Sequence, residues 1–271
     1  MGVQSAITPF AAQMLRFTWI QVQCCYFAVA VVAGIALSTL LRGYWDAPIG
    51  RYDALFVYVV ALQIVFVATG LETRRELVVI CMFHIVGLAL ECFKVAAGSW
   101  TYPEPGVLVV AGVPLYAGFM YAAVGSYICQ AFRRFDLTVT RYRISVVGTL
   151  AVLAYANFYT HHWIPDLRVL ILAAFAVATA RMKVWFTVGG HRYWMPLPVS
   201  FVLIGFFLWV AENIATYFGA WEYPDQEGVW RMVHLGKFSS WILLVSLSFV
   251  LVSALMTHRT SRDDVVAVHA Q

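Results

Sequence analysis

Long apolar segments, joined by short polar or proline- and glycine-containing linkers, make up most of the chain. A helix needs about 20 residues to cross a hydrocarbon core about 30 Å thick. Only 12% of the 271 residues are charged, about half the roughly 25% of soluble domains. We therefore expect an all-α, polytopic integral membrane protein with about eight transmembrane helices. The predicted helices cover residues 17–41, 54–71, 77–98, 107–132, 143–161, 166–186, 196–219 and 233–256.

Arginine and lysine are unevenly divided between the linkers. If the N-terminus lies inside, twelve of these residues fall on the inner side and four on the outer side. The positive-inside rule then predicts that both termini are cytoplasmic. The outer four are Arg42, Arg51, Arg168 and Arg231.

One motif occurs twice, 121 residues apart. Between residues 91–103 and 212–224, five of thirteen positions are identical, and the shared residues are Glu, Gly, Trp, Tyr and Pro. The eight segments follow the same offset. The pattern predicts a parallel 4+4 repeat, because four crossings return the chain to the side on which it began. We assign residues 1–136 to the first repeat, 137–257 to the second and 258–271 to a cytoplasmic tail.

Glu91 and Glu212 are the matched carboxyl groups of this repeat, and both lie within apolar segments. A charged carboxylate near the centre of a membrane helix costs about 2.5 kcal/mol or more, so such residues mark functional sites. Matched positions in two parallel repeats favour a shared site near the axis that relates them. We predict that the two glutamates are a catalytic acid/base pair.

Other polar and aromatic residues gather toward the same outer end and form a predicted substrate-binding set. They are Trp100, Tyr102, Trp221, Tyr223, Lys94, His84, Asn157, Asn213 and Lys237. Two structural interpretations stay open. The Trp and Tyr residues also fit interfacial anchors of helix ends, and Lys94 also fits an ion pair with Glu91 three residues away.

The sequence predicts neither a cofactor nor a metal. His161 and His162 are weak metal candidates, because adjacent residues point about 100° apart on a helix. The five cysteines lie in apolar segments and suit small core residues. No basic stripe with interleaved aromatic residues predicts nucleic-acid binding. The expected partners are the lipid bilayer and a hydrophobic small molecule or lipid.

The stretch "LECFKVAAGSWTYPEPGVLVVAGVPLYAG", together with "YANFYTHHW" and "WVAENIATYFGAWEYPDQ", closely resembles the bacterial membrane family called domain of unknown function 817, the YoaT-like proteins. The resemblance implies a multi-pass protein of the bacterial inner membrane and assigns no reaction. A glutamate followed by an aromatic loop and "GVPLYAG" is more loosely similar to carotenoid hydratases and lycopene-cyclase-type membrane proteins. That similarity implies acid/base chemistry by Glu91 and Glu212.

Three functions remain open on the sequence. The leading hypothesis is an intramembrane enzyme that uses the glutamate pair on a lipophilic, isoprenoid- or carotenoid-like substrate. The first alternative is a proton-coupled transporter or channel, with the same glutamates as proton carriers. The second is a structural membrane partner protein. Substrate identity and oligomeric state are not encoded in any motif of the chain.

Overall fold

The computed structural model describes the backbone of residues 2–44 and 49–268, and the side chains of residues 10–42, 44 and 49–253. The described chain is mostly helical. Its helices are α1 Gly2–Cys24, α2 Tyr26–Leu40, α3 Arg51–Ala68, α4 Arg74–Ala96, α5 Ala117–Arg134, α6 Ile144–Thr160, α7 Arg168–Thr179, α8 Leu197–Tyr217 and α9 Gly236–Val268. Its strands are β1 Val109–Val110, β2 Val113–Pro114, β3 Thr138–Thr140, β4 Lys183–Val188 and β5 His191–Pro196.

Several of these helices are membrane-spanning candidates. In the described chain, four are long and apolar enough to cross a membrane, namely α3, α4, α8 and the part of α9 up to Ser253. Helices α1 and α2 supply a fifth if the pair, bent by 62°, is one span. Helices α6 and α7 are apolar but shorter, at 17 and 12 residues. At 1.5 Å per residue, α7 is about 18 Å long, well short of a hydrocarbon core.

The all-α prediction is wrong in two places, although each predicted segment contains a helix. In segment 107–132 the helix begins only at Ala117, because β1 and β2 form a short hairpin before it. In segment 166–186 the helix ends at Thr179, and β4 pairs with β5. Gly189 and Gly190 turn that hairpin with φ of 56° and 79°. A Gly-Gly pair between β-branched and aromatic residues is a hairpin signal.

The strands form two separate sheets. Besides the β1–β2 hairpin, β3, β4 and β5 make a three-stranded antiparallel sheet in that order. Phe17 of α1 packs on Phe135 and on Phe186 of β4. These contacts pack the larger sheet against α1 and the end of α5.

Helix packing follows a recurring pattern. Helix α4 packs along α5, and α8 packs along α9. Helix α2 also contacts α5, and α6 contacts α9. A buried aromatic cluster at the predicted outer end contains Tyr52, Trp100, Tyr116, Trp221 and Tyr223. This cluster holds both motif loops in the protein core.

The helix that carries Glu91 begins at a defined cap. The Thr73 side chain accepts a hydrogen bond from the Glu76 backbone, and the Glu76 carboxylate accepts one from the Thr73 backbone at 2.6 Å. This capping box satisfies two N–H groups that a helix start would otherwise leave without partners. It fixes the start of α4 and hence the depth of Glu91.

Candidate functional site

The two glutamate helices end in the same way. Gly98 after α4 and Gly219 after α8 adopt left-handed conformations, with φ of 69° and 65°. The next backbone N–H in each case closes onto a carbonyl five residues earlier, Ser99 to Lys94 at 2.9 Å and Ala220 to Ala215 at 3.0 Å. This Schellman geometry favours glycine, which tolerates positive φ.

The two motif loops that follow pair with each other. Thr101 and Glu222 exchange both backbone hydrogen bonds, each at 2.9 Å, in an isolated antiparallel bridge. These two residues are 121 positions apart, which is the offset of the motif. A contact between equivalent residues is the pattern that a two-fold axis produces.

This pairing predicts a specific cross-link. Antiparallel residues that exchange hydrogen bonds have Cα atoms about 5.5 Å apart, within the roughly 4.4–6.8 Å that a disulfide spans. We expect Thr101→Cys with Glu222→Cys to form a disulfide, whereas Thr101→Cys with Glu227→Cys does not. The measurement uses a chain without native cysteines that is cleaved by a protease between the two positions. The two fragments should stay covalently joined on a denaturing gel until a reducing agent is added. Equal cross-linking of both pairs would contradict the bridge.

The Glu91 carboxyl group is 3% exposed and is surrounded by aromatic donors. The Trp100 indole and the Tyr102 hydroxyl both donate to Oε2 at 2.7 Å, and the Tyr121 hydroxyl donates to Oε1 at 2.7 Å. Burial, and then the neighbouring Glu91 carboxylate, raises the pKa of Tyr102 well above its usual value. Tyr102 therefore stays a hydrogen-bond donor at neutral pH.

The Glu212 carboxyl group has a matching environment and is 5% exposed. The Tyr223 hydroxyl donates to Oε1 at 2.5 Å, and the Trp241 indole donates to Oε2 at 2.8 Å. Tyr223 lies 121 positions after Tyr102, so the tyrosine–glutamate bond recurs at the motif offset. The structure thus gives each predicted catalytic carboxyl one tyrosine from its own loop and one aromatic donor from the next helix.

The two carboxyl groups belong to one connected cluster. The Trp100 ring, bonded to Glu91, meets the Tyr223 ring, bonded to Glu212, edge to face at a centroid distance of 5.8 Å. The Lys237 ammonium lies 4.4 Å from the Tyr223 ring centroid and 5.0 Å from that of Trp100. Within the described residues, neither glutamate has a cation within 4 Å.

The ion pair between Lys94 and Glu91, which the sequence left open as an alternative, does not form in the described structure. Lys94 is 2% exposed, and its ammonium donates to the Phe158 carbonyl at 2.6 Å and lies 3.3 Å from His162 Nε2. It also lies 3.8 Å from the Phe158 ring centroid. The side chain leaves the Glu91 face of α4 because the end of α6 offers a carbonyl and a ring together.

Four other predicted substrate-binding residues lie apart from the carboxyl groups or have structural contacts. The Asn157 side-chain amide donates to Asp166 at 2.9 Å, and the Asn213 side-chain oxygen accepts from the Val233 backbone N–H at 2.8 Å. Both side chains therefore hold a neighbouring loop in place. The His84 ring packs against Phe119 at a centroid distance of 4.5 Å with the planes tilted by 56°, and its buried Nδ1 has no partner in the described structure. Trp221 is 9% exposed in the aromatic cluster.

The two histidines have different partners. His161 Nδ1 lies 3.0 Å from the Phe158 carbonyl and 3.2 Å from that of Asn157, whereas His162 Nε2 lies 3.3 Å from the Lys94 ammonium. The described part of the chain brings together no three His, Cys, Asp or Glu side chains that could hold a metal.

An apolar cleft opens beside the carboxyl cluster. Tyr121 and Trp241 form part of its wall, so these two side chains touch both the cleft and a glutamate. Phe83 and Tyr155 add further rings to the wall. The aromatic residues of the motif loops do not line the cleft. Trp100, Tyr102 and Tyr223 among them donate hydrogen bonds to the carboxyl groups instead.

Comparison with known proteins places the chain in a family. The model of the family described as "Protein of unknown function (DUF817)" matches residues 13–249. The chain belongs to this family. This assignment confirms the family resemblance read from the motif stretches.

Two individual proteins are similar to the chain. "Uncharacterized protein YoaT" of Bacillus subtilis (strain 168) is 47% identical over 244 residues, covering 90% of this chain and 91% of that protein. A crystal structure of a cross-linked MvINS trimer is 16% identical, with a TM-score of 0.44, and the match covers 68% of this chain and 96% of that one.

The sequence did not identify Tyr121 and Trp241 as site residues. They lie 120 positions apart, one short of the motif offset, so a strict search at 121 pairs Tyr121 with Ile242. A search for hydrogen-bonding aromatic residues one helix after each glutamate would have found both. This DUF817 protein thus pairs each buried acid with a donor that reaches the cleft.

Proposed function

We propose that the chain is a duplicated helical unit. Residues 1–136 and 137–257 are its two repeats, and each repeat contains four of the eight membrane segments. Three matched features support the duplication. The Schellman helix ends and the tyrosine–glutamate hydrogen bonds each recur after 121 residues. The Thr101–Glu222 bridge connects two positions that are 121 residues apart. The charge bias supports a location in the bacterial inner membrane with both termini in the cytoplasm.

We further propose that the protein is an intramembrane acid/base enzyme for a lipophilic substrate held in the apolar cleft. The observation that carries this proposal is the double contact of Tyr121, which lines the cleft and donates to Glu91 at 2.7 Å. Trp241 has the same relation to Glu212. A buried acid that reaches a lipid-accessible cleft through a hydroxyl group is suited to move a proton to or from an apolar molecule.

The reaction class follows from these groups. When Glu91 is protonated, the hydrogen bond between the two groups runs from the carboxyl to the Tyr121 oxygen, so Tyr121 donates its own proton to an alkene or epoxide of the substrate and regains one from Glu91, which becomes a carboxylate. The cationic intermediate then loses a different proton to Tyr121, which passes its own proton back to the Glu91 carboxylate, so the protons balance and the product is an isomer. Rings of Phe83, Tyr155 and Trp241 in the cleft wall stabilise the positive charge. The apolar lining keeps water away from the cation.

A buried third carboxyl group favours proton-coupled transport as the alternative. Glu72, just before α4, is 2% exposed, and it accepts from Gln63 Nε2 at 2.5 Å and from the Ser126 hydroxyl. No cation of the described structure lies within 4 Å of it. Carboxyl groups at both ends of α4 suit a protein that passes protons between the two membrane faces.

Tyr121→Phe tests the enzyme proposal. We expect turnover of the lipophilic substrate to fall about a hundredfold, because removing an acid/base group typically costs 10²–10⁴ in rate. Stability should change by only about 1 kcal/mol, since one hydrogen bond is lost. Mass spectrometry of lipids that co-purify with the wild type identifies the substrate, and the same method follows its conversion.

The matched control is Tyr127→Phe on the same helix, whose hydroxyl donates to Gln21 at 3.2 Å away from the cleft. It should leave turnover unchanged. Equal turnover by the wild type and Tyr121→Phe would contradict the enzyme proposal. Proton flux in liposomes that depends on Glu72, without any lipid conversion, would favour the transporter.

A further inference from the structure

A second, smaller cavity lies next to the apolar cleft. Its wall combines apolar side chains with Arg168, Asn157 and Ser240. Leu244 lines both this cavity and the cleft, so the two adjoin. The cavity lies between the end of α6, the start of α7 and the second and third turns of α9.

One polar atom in this cavity has no protein partner. The Ser240 hydroxyl belongs to a side chain that is 5% exposed, and it makes no hydrogen bond in the described structure. Buried hydroxyl groups are normally paired, because an unmade hydrogen bond is costly. Most buried serines of α9 bond to their own helix, as Ser246 does to the Leu243 carbonyl at 2.5 Å. Ser240 is therefore available to a bound molecule.

One cation, Arg168, lines this cavity, and Lys237 and Lys94 lie close enough to Arg168 to interact with it electrostatically. Arg168 is held by Asp166 at 3.0 Å and by the Gly236 carbonyl at 3.1 Å. Lys237 lies one turn before Ser240 on the same helix, and no described carboxylate lies within 4 Å of it. The Lys94 ammonium donates to the Phe158 carbonyl, and Phe158 also lines the cavity. Asp166 is the one carboxylate that pairs directly with any of the three in the described structure.

From this arrangement we infer that the small cavity binds the phosphate headgroup of an anionic amphiphile whose chain lies in the adjoining apolar cleft. Arginine, lysine and a hydroxyl group are the usual partners of phosphate oxygens. The inference rests on the proposed function for its second half, because the chain would occupy the proposed substrate cleft. Headgroup binding itself requires no chemistry at the glutamates.

The test measures melting temperature of the purified full-length protein in detergent with three probes. They are phosphatidic acid, phosphatidylcholine of the same chains, and inorganic phosphate. We expect phosphatidic acid to raise the melting temperature and phosphatidylcholine to leave it nearly unchanged. A rise with inorganic phosphate equal to that with phosphatidic acid would overturn the lipid assignment and leave a free-anion site.

Ser240→Ala gives the sharpest variant, because its hydroxyl has no protein partner to lose. We expect the unliganded protein to melt as the wild type does, while phosphatidic acid binds about tenfold more weakly, the loss of one hydrogen bond to a charged group. Lys237→Met should weaken binding at least as much. The matched control is Ser200→Ala on α8, another buried hydroxyl without a partner in the described structure, which should change nothing.

The inference fails if both lipids act alike, or if Ser240→Ala and Ser200→Ala bind phosphatidic acid equally. Its failure is distinct from that of the enzyme proposal. Selective phosphatidic acid binding without turnover by any preparation would keep the headgroup site and remove the chemistry. Turnover that depends on Tyr121 without any preference between the lipids would do the reverse.

Discussion

Arg51→Ala is expected to lower the free energy of unfolding by about 3–5 kcal/mol, the usual effect of breaking a buried ionic network from one side. The Arg51 side chain is 6% exposed and contacts Glu104 at 2.5 Å. It also donates to the carbonyls of Phe218 at 2.7 Å and Gly219 at 3.0 Å. Its loss would remove the buried partner of the Glu104 carboxylate and, at once, the charged donor of both carbonyls at the end of α8.

Arg42→Ala is the matched control for this prediction. Arg42 contacts the same Glu104 carboxylate, but its side chain is 60% exposed. Exposed ion pairs contribute about 0–1 kcal/mol, so this variant should unfold nearly as the wild type does. Thermal unfolding in detergent, followed by circular dichroism, compares the two. Similar losses for both variants would show that Arg51 does not connect the two halves.

The role of Arg51 was not predictable from the sequence, although its side of the membrane was predicted. It lies 168 residues from Gly219, and only the folded chain brings the start of α3 to the end of α8. No local pattern specifies a contact at that separation. The sequence assigns such an arginine only to a membrane face, because the linker composition carries charge bias and no information on distant contacts.

Helix positions were more predictable than helix limits. The apolar segments located every helix from α3 to α9, because burial in lipid requires about 20 continuous apolar residues. The predicted helix 17–41 is wrong in its limits, since it misses the first part of α1 and merges the rest with α2 across their bend of 62°. The same criterion misread residues 180–186, since an apolar strand and an apolar helix end look alike in composition. The Gly189–Gly190 turn carried the missing information. Turn chemistry deserves equal weight with hydropathy wherever a predicted helix runs into a Gly-Gly pair.

The candidate site was partly predictable because duplication makes distant residues comparable. The offset of 121 residues joined Glu91 to Glu212 and Tyr102 to Tyr223, and the structure brings these four into one cluster. The direction of Lys94 was not predictable, because helical spacing gives the face of a side chain and not the competing carbonyl on another helix. The cavity beside Ser240 likewise depends on three elements meeting.

Glu91→Leu is the second variant with a large expected effect, a loss of about 3 kcal/mol or more in unfolding free energy. Leucine would leave the Trp100, Tyr102 and Tyr121 donors without their acceptor, and each buried unsatisfied group costs about 1–3 kcal/mol. Glu212→Leu should destabilise less, since only two donors, Tyr223 and Trp241, lose their acceptor there. Thermal unfolding in detergent gives the order directly, and the reverse order would contradict the hydrogen-bond assignment.

Glutamine at the same positions separates stability from chemistry. Each carboxyl faces an indole on one oxygen and a tyrosine hydroxyl on the other. An amide oxygen can accept from the indole, and the amide NH₂ can donate to a tyrosine hydroxyl, which both donates and accepts. Glu91→Gln and Glu212→Gln should therefore unfold within about 1 kcal/mol of the wild type. Turnover should still fall by about 10²–10⁴, because an amide transfers no proton at neutral pH. Stable glutamine variants with full turnover would refute the acid/base role, and glutamine variants as unstable as the leucine variants would assign the carboxyl groups a structural role.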